Sequence, residues 1–127
     1  MIEYVPYSGE PEAMNCPAVI CDTCRKQVVG QGNVIWCIRA GEKGEQRQIS
    51  PIFAAHKGRC DRALELWLRG QYPIDDHWIN LWEEVEVFMK QFNNNVSRSF
   101  DEDPQGEYHQ TIVKMPGSPH DELPQIS

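Results

Sequence analysis

Cys21-Asp22-Thr23-Cys24, then 31 residues, then His56-Lys57-Gly58-Arg59-Cys60: this stretch decides how the chain is held together. A CxxC turn aims two sulfurs at one point from a single tight loop. A His and a Cys four positions apart share one side of a helical turn, or of the lead-in to a helix. Three thiolates and one neutral imidazole complete a tetrahedron with no vacant position, the ligand set of a structural zinc site. Cys21, Cys24, His56 and Cys60 are therefore the expected ligands of one zinc ion. Of the two remaining cysteines, Cys37 falls mid-strand and reads as packing, and Cys16 is a substitute ligand for His56 or Cys60.

Working outward, residues 34–39 alternate, with Val34, Trp36 and Ile38 on one side and Ile35, Cys37 and Arg39 on the other, which predicts a strand. Ala40-Gly41-Glu42-Lys43-Gly44-Glu45 reads as a polar hairpin tip, and residues 46–55 as the returning strand, with Pro51 confining it to an edge or a bulge. Upstream, Ile2, Tyr4, Val5 and Tyr7 suggest one short strand and Pro17-Ala18-Val19-Ile20 another. Cys60, Ala63, Leu64, Trp67 and Leu68 share one helical face, with Arg69-Gly70 at the end and Tyr72-Pro73 preventing continuation.

A second amphipathic helix is expected over 75–95, capped by Asp75 or Asp76, stapled by Ile74 and Ile79, and ending in Asn93-Asn94-Asn95. Its apolar stripe would be Trp78, Leu81, Trp82, Val85, Phe88, Met89 and Phe92. The expected organisation is a small α+β zinc-binding domain over 1–96, with its core zinc module at 17–70, and an acidic, flexible tail over 97–127. Within that tail, residues 108–115 have mild strand character.

The order of CxxC turn, β-hairpin and ligand-bearing helix resembles the treble-clef zinc fold. The Cys-Cys-His-Cys ligand order is similar to that of LIM modules and of the zinc fingers of poly(ADP-ribose) polymerases, although the His-to-Cys gap here is three residues against two in those families. The first resemblance implies protein binding and the second DNA binding, with zinc as scaffold in both.

Charge separates the two. The net charge of −7 divides into +1 over 1–74 (nine Lys/Arg, eight Asp/Glu), −6 over 75–103 (two, eight) and −2 over 104–127 (one, three). An acidic chain lacks the electrostatic footprint of a general nucleic-acid binder. The leading expectation is a non-enzymatic adaptor, inhibitor or regulator that meets a protein partner through Glu83, Glu84 and Glu86 and the tail. The alternative is a nucleic-acid interface on the basic side of the zinc module, at Arg25, Lys26, Lys57 and Arg59. Trp36, Trp67, Trp78 and Trp82 read as core before they read as a stacking cluster for a ligand.

Enzymatic readings find little support. There is no PCxxC to complete a zinc deaminase motif, no histidine in the hairpin for an HNH-type nuclease, and no base near Cys37 in the sequence. No apolar run approaches a membrane span, and Met1-Ile2-Glu3-Tyr4 does not open a signal peptide. The expected compartment is the cytoplasm, where five cysteines are reduced or metal-bound; the disulfide alternative would use Cys16, Cys21, Cys24 and Cys37.

Overall fold

A computed structural model of the chain describes residues 1–10, 12, 15–40, 47–98 and 110–112. The expected hairpin tip, apart from Ala40, lies outside these residues, as does most of the expected tail. The fold is mixed α and β, centred on strand β3 (Gly32–Arg39), the alternating segment. Strands β1 (Ile2–Val5) and β2 (Cys16–Val19) form a separate antiparallel pair.

Strand β3 is paired along both edges. On one side it meets β4 (Arg47–Ile49) and β5 (Phe53–His56) end to end, and on the other β6 (Ile79–Glu84), all antiparallel. The return strand expected over 46–55 is thus broken, and the register locates the break. Ile38 faces Ile49 while Ile35 faces Phe53, so three steps on β3 oppose four on the returning chain. The extra residue is a bulge at Ser50-Pro51-Ile52, where proline's missing N–H costs no ladder bond. Ser50 closes it: its N–H donates to the Cys37 carbonyl at 2.8 Å and its Oγ accepts the Cys37 N–H at 2.8 Å. Strand β7 (Gln110–Ile112), inside the segment with strand character, pairs in parallel with β4.

Helix α1 (Arg59–Gln71) covers one face of this sheet. Asn33 Nδ2 donates to Asp61 at 2.8 Å, and the Phe53 ring meets Trp67 edge-on at 5.9 Å. Alternation then puts Ile35 and Cys37 on the same side, in a core with Leu64, Leu68 and Tyr72. Burying Leu64 and Leu68 stabilises the fold by roughly 1.5–3 kcal/mol each. Asp61 also accepts the N–H of Gly58 at 3.0 Å, satisfying a donor at the helix start. On the opposite face, Val34 lines an apolar cleft of about 570 Å³ with Ile2, Val19, Phe88, Met89 and Phe92.

The helix expected over 75–95 is only half helix. Ile74–Asp76 is a single 3₁₀ turn, His77 is left-handed at φ 67°, and β6 follows; helix α2 begins at Val85 and ends at Asn95. Read as a strand, residues 78–84 put Trp78 and Trp82 on one face and Ile79 and Leu81 on the other, and their two tryptophans and one isoleucine suit a strand. What selects the strand is β3, whose second edge would otherwise carry unpaired backbone groups in the core. The proposed staple does not form, since Ile74 and Ile79 are both exposed. Asp76 does not cap a helix but pairs with Arg39 at 3.0 Å.

The tryptophans do not cluster. Trp78 is buried edge-on against Tyr72 at 4.9 Å, Trp67 packs on Phe53, Trp36 is half-buried, and Trp82 is 61% exposed. No helix among the described residues is long and apolar enough to cross a membrane.

Candidate metal centre

The chain from Val19 to Val28 doubles back tightly, closed by Val28 N–H to the Val19 carbonyl at 2.7 Å and Cys21 N–H to the Lys26 carbonyl at 2.8 Å. Cys21-Asp22-Thr23-Cys24 forms its tip. Arg25 makes the reversal in the left-handed region at φ 65°, a conformation uncommon for a residue with a Cβ. Its guanidinium then grips Glu3 of β1 through two bonds, at 2.7 and 2.9 Å. The Cys24 N–H points at the Cys21 sulfur at 3.4 Å, so the turn presents both sulfurs on one side.

The second pair comes from the β5–α1 junction. His56 is the last residue of β5 and Cys60 lies in the first turn of α1. Between them Gly58 adopts φ 99°, which lets the strand swing directly into the helix. His56 Nε2 donates to the Gln27 carbonyl at 2.9 Å, leaving Nδ1 to face the Cys24 sulfur at 3.4 Å. This is the arrangement in which one ring nitrogen is fixed by a carbonyl and the other is free to ligate. The donor atoms of Cys21, Cys24, His56 and Cys60 all lie within 4.8 Å of one another, so the four could hold a metal ion. Zinc–sulfur bonds of about 2.3 Å in a tetrahedron would put sulfurs about 3.8 Å apart, inside the 4.8 Å that bounds this cluster.

The two residues between the cysteines are what join the ligand pairs. Asp22 accepts the Ala54 N–H at 2.8 Å and donates its own N–H to the Ala54 carbonyl at 2.7 Å, tying the turn to β5 two residues before His56. It also accepts the Met1 ammonium at 3.0 Å. Thr23 Oγ1 donates to the Cys60 carbonyl at 2.9 Å, tying the turn to α1. The ligand spacing alone assigns neither residue a role; an Asx or Thr inside a CxxC turn is the available signal.

The thiols are unequal. Burial pushes Cys21 up, but N–H groups of Cys24, His56 and Thr23, with the His56 ring, outweigh it and bring the thiol down to about 6. Cys60 is pushed up to about 11, first by burial and then by the Cys21 and Cys24 sulfurs beside it. His56 is raised, chiefly by its bond to the Gln27 carbonyl and then by Cys21. A divalent cation at the centre would favour the thiolate form of every sulfur.

All five cysteines are free thiols. Cys16 lies in β2, away from the cluster, beside Asn15. Cys37 is buried under α1.

The three glutamates do not share a helix face. Glu83 and Glu84 lie on β6, on opposite sides of the sheet by alternation, and Glu86 lies in the first turn of α2. Glu84 pairs with Lys57 at 3.0 Å, and both border a small cleft with Glu86 and residues 30–32. Of the four basic residues considered for nucleic acid, Arg25 and Lys57 are paired with Glu3 and Glu84, while Lys26 and Arg59 make no ion pair among the described residues. No protein-family model, curated protein or solved structure matches the chain.

Proposed function

We propose that Cys21, Cys24, His56 and Cys60 hold one zinc ion as a scaffold in a treble-clef-like module, and that the chain is a non-enzymatic protein-interaction module. The observation that carries this reading is the convergence of three thiols and one imidazole with every ligand supplied by the chain. Such a set leaves no position for water or substrate, and soft sulfur ligands favour zinc. The order of tight turn, β3–β5 hairpin and α1 supports the treble-clef comparison. Free thiols fit a reducing compartment, the cytoplasm.

The contact surface in this reading is the β6–α2 junction, where residues 75–86 hold Asp75, Asp76, Glu83, Glu84 and Glu86 and no Lys or Arg. A nucleic-acid interface is the weaker reading, because two of its four cations are already engaged with carboxylates. The test combines metal analysis with affinity capture. One zinc per chain is expected, with a captured protein lost on the combined change Glu83→Gln, Glu84→Gln and Glu86→Gln. Capture untouched by that variant would overturn the acidic surface, and salt-sensitive binding to DNA or RNA would replace the reading.

A further inference from the structure

We propose that the outer edge of β6 receives an extended, basic segment of a protein partner as an added strand, an inference that rests on the interaction-module reading above.

The backbone geometry identifies which groups are free. Cys37 directs its N–H and C=O toward Ser50, on the β4 side of β3. In an antiparallel sheet these directions alternate, so Asn33, Ile35 and Cys37 serve the β4–β5 edge and Val34, Trp36 and Ile38 serve β6. Opposite the latter three lie Glu83, Leu81 and Ile79, whose backbone groups point inward. Asn80, Trp82 and Glu84 therefore point theirs away from β3. The carbonyl of Glu84 is taken by the first turn of α2, for which Glu84 is the cap. What remains is the N–H and C=O of Asn80 and Trp82 and the N–H of Glu84, with no backbone partner among the described residues.

Sheet edges are ordinarily blunted by proline, lysine, a bulge or a covering element. Residues 79–84 contain no proline and no lysine, and they pair with β3 in unbroken register. Trp82 and Ile79 are 61% and 56% exposed, leaving apolar surface beside the open backbone. Unpaired alternating donors and acceptors in one line are complementary to an extended chain.

Charge chooses the kind of chain. Arg39 offsets Asp76 and Lys57 offsets Glu84, leaving Asp75, Glu83 and Glu86 without ion pairs among the described residues, toward the two ends of the strand. A second copy of this edge would bring those carboxylates together, whereas a segment carrying Lys or Arg would neutralise them.

The test uses the full-length, zinc-loaded protein and a capped synthetic nonapeptide of alternating lysine and valine, followed by amide hydrogen exchange and NMR titration. The amides of Asn80, Trp82 and Glu84 should slow at least about tenfold while those of Leu81 and Glu83, already bonded to β3, change little. A peptide with glutamate for lysine, or one N-methylated along one edge, should bind about tenfold more weakly, and neither control alters the protein fold. Trp82→Pro should have a similar effect, because it removes an outward N–H that the sheet does not use. Binding without the alternating protection would overturn the added strand and leave the acidic contact surface standing. Absence of binding, or a dimer of the chain alone that protects the same three amides, would overturn the proposal. Loss of the acidic surface itself is read separately, from capture with the glutamine variant.

Discussion

The Oδ2 atom of Asp22 accepts the backbone N–H of Ala54 at 2.8 Å, and the side chain doing so is fully buried. This bond joins the cysteine turn to the strand that ends in His56, so it fixes the distance between the two ligand pairs. Replacing Asp22 with Ala leaves the Ala54 N–H without its acceptor in the core, which costs about 1–3 kcal/mol. Asp22→Ala should therefore lower unfolding stability by that amount in denaturant titrations. It should also weaken metal binding about 10- to 100-fold in chelator competition, as loss of a supporting partner does. An unchanged metal affinity would show that the pairs are positioned by something else.

Thr23 makes the matching tie on the helix side, from Oγ1 to the Cys60 carbonyl. Thr23→Val preserves shape and removes only the hydroxyl. The residue is exposed, so the stability loss should stay within about 1 kcal/mol, while metal affinity falls about tenfold. A variant whose stability drops with no change in metal affinity would assign Thr23 to folding alone.

Those two residues also show how far the sequence was legible. The four donors were readable because ligand spacing is a local property, and helix α1 because Leu64, Trp67 and Leu68 repeat at helical intervals before Tyr72-Pro73. Pro51 announced its bulge for the same local reason. The roles of Asp22 and Thr23 were not readable, since their partners Ala54 and Cys60 lie over 30 residues away. Residues 78–84 misled because Trp78, Leu81 and Trp82 fit the helical period, while a strand with apolar residues on both faces leaves no alternation to read. The decision was made by β3, whose second edge recruits them. The separation of Glu83 from Glu84 and Glu86 follows from that pairing.

Gly58 sits at φ 99° between His56 and Cys60, with open space where a Cβ would stand. The obstacle to a side chain there is backbone strain rather than crowding. Gly58→Ala should destabilise the protein by about 1–3 kcal/mol and weaken metal binding, because relaxing this turn moves Cys60 relative to His56. Gly30, also at positive φ with nothing nearby, is the control: Gly30→Ala is likewise strained but lies outside the ligand turns. Equal metal affinities in the two variants would argue against a ligand-positioning role for Gly58.

Metal binding should weaken as the solution is acidified. Protons and the ion compete for the same sulfur and nitrogen atoms. Cys21 loses its proton at about 6 in the metal-free cluster, so above that pH it is already a thiolate, while Cys60, at about 11, must give up a proton to bind. As the pH falls, His56, raised above its ordinary 6.5, and then Cys21, at about 6, add to the protons displaced. Chelator competition from pH 8 to pH 5 should accordingly show affinity falling, with a steeper slope below about pH 6. A pH-independent affinity would mean that these groups do not ligate.

Cys37 offers a thiol with the opposite character. It is fully buried, its sulfur lies 3.0 Å from Asn80 Oδ1, and burial pushes its titration up to about 11 despite the nearby Ser50 hydroxyl. In the unfolded chain it ionises near its ordinary 9.0. The folded state therefore holds the proton more tightly between those values, and by linkage this contribution is fully present below about pH 9 and is lost as pH rises through about 11. The loss is on the order of 3 kcal/mol. Other groups titrate in the same window, so the comparison is with Cys37→Ala. That variant should be less stable at pH 8, with the deficit shrinking between pH 9 and pH 11. In the native, metal-loaded protein Cys37 should also resist alkylation at pH 8, while the unfolded chain reacts at once. Rapid labelling of native Cys37, or a deficit constant with pH, would show that the thiol is reached by solvent.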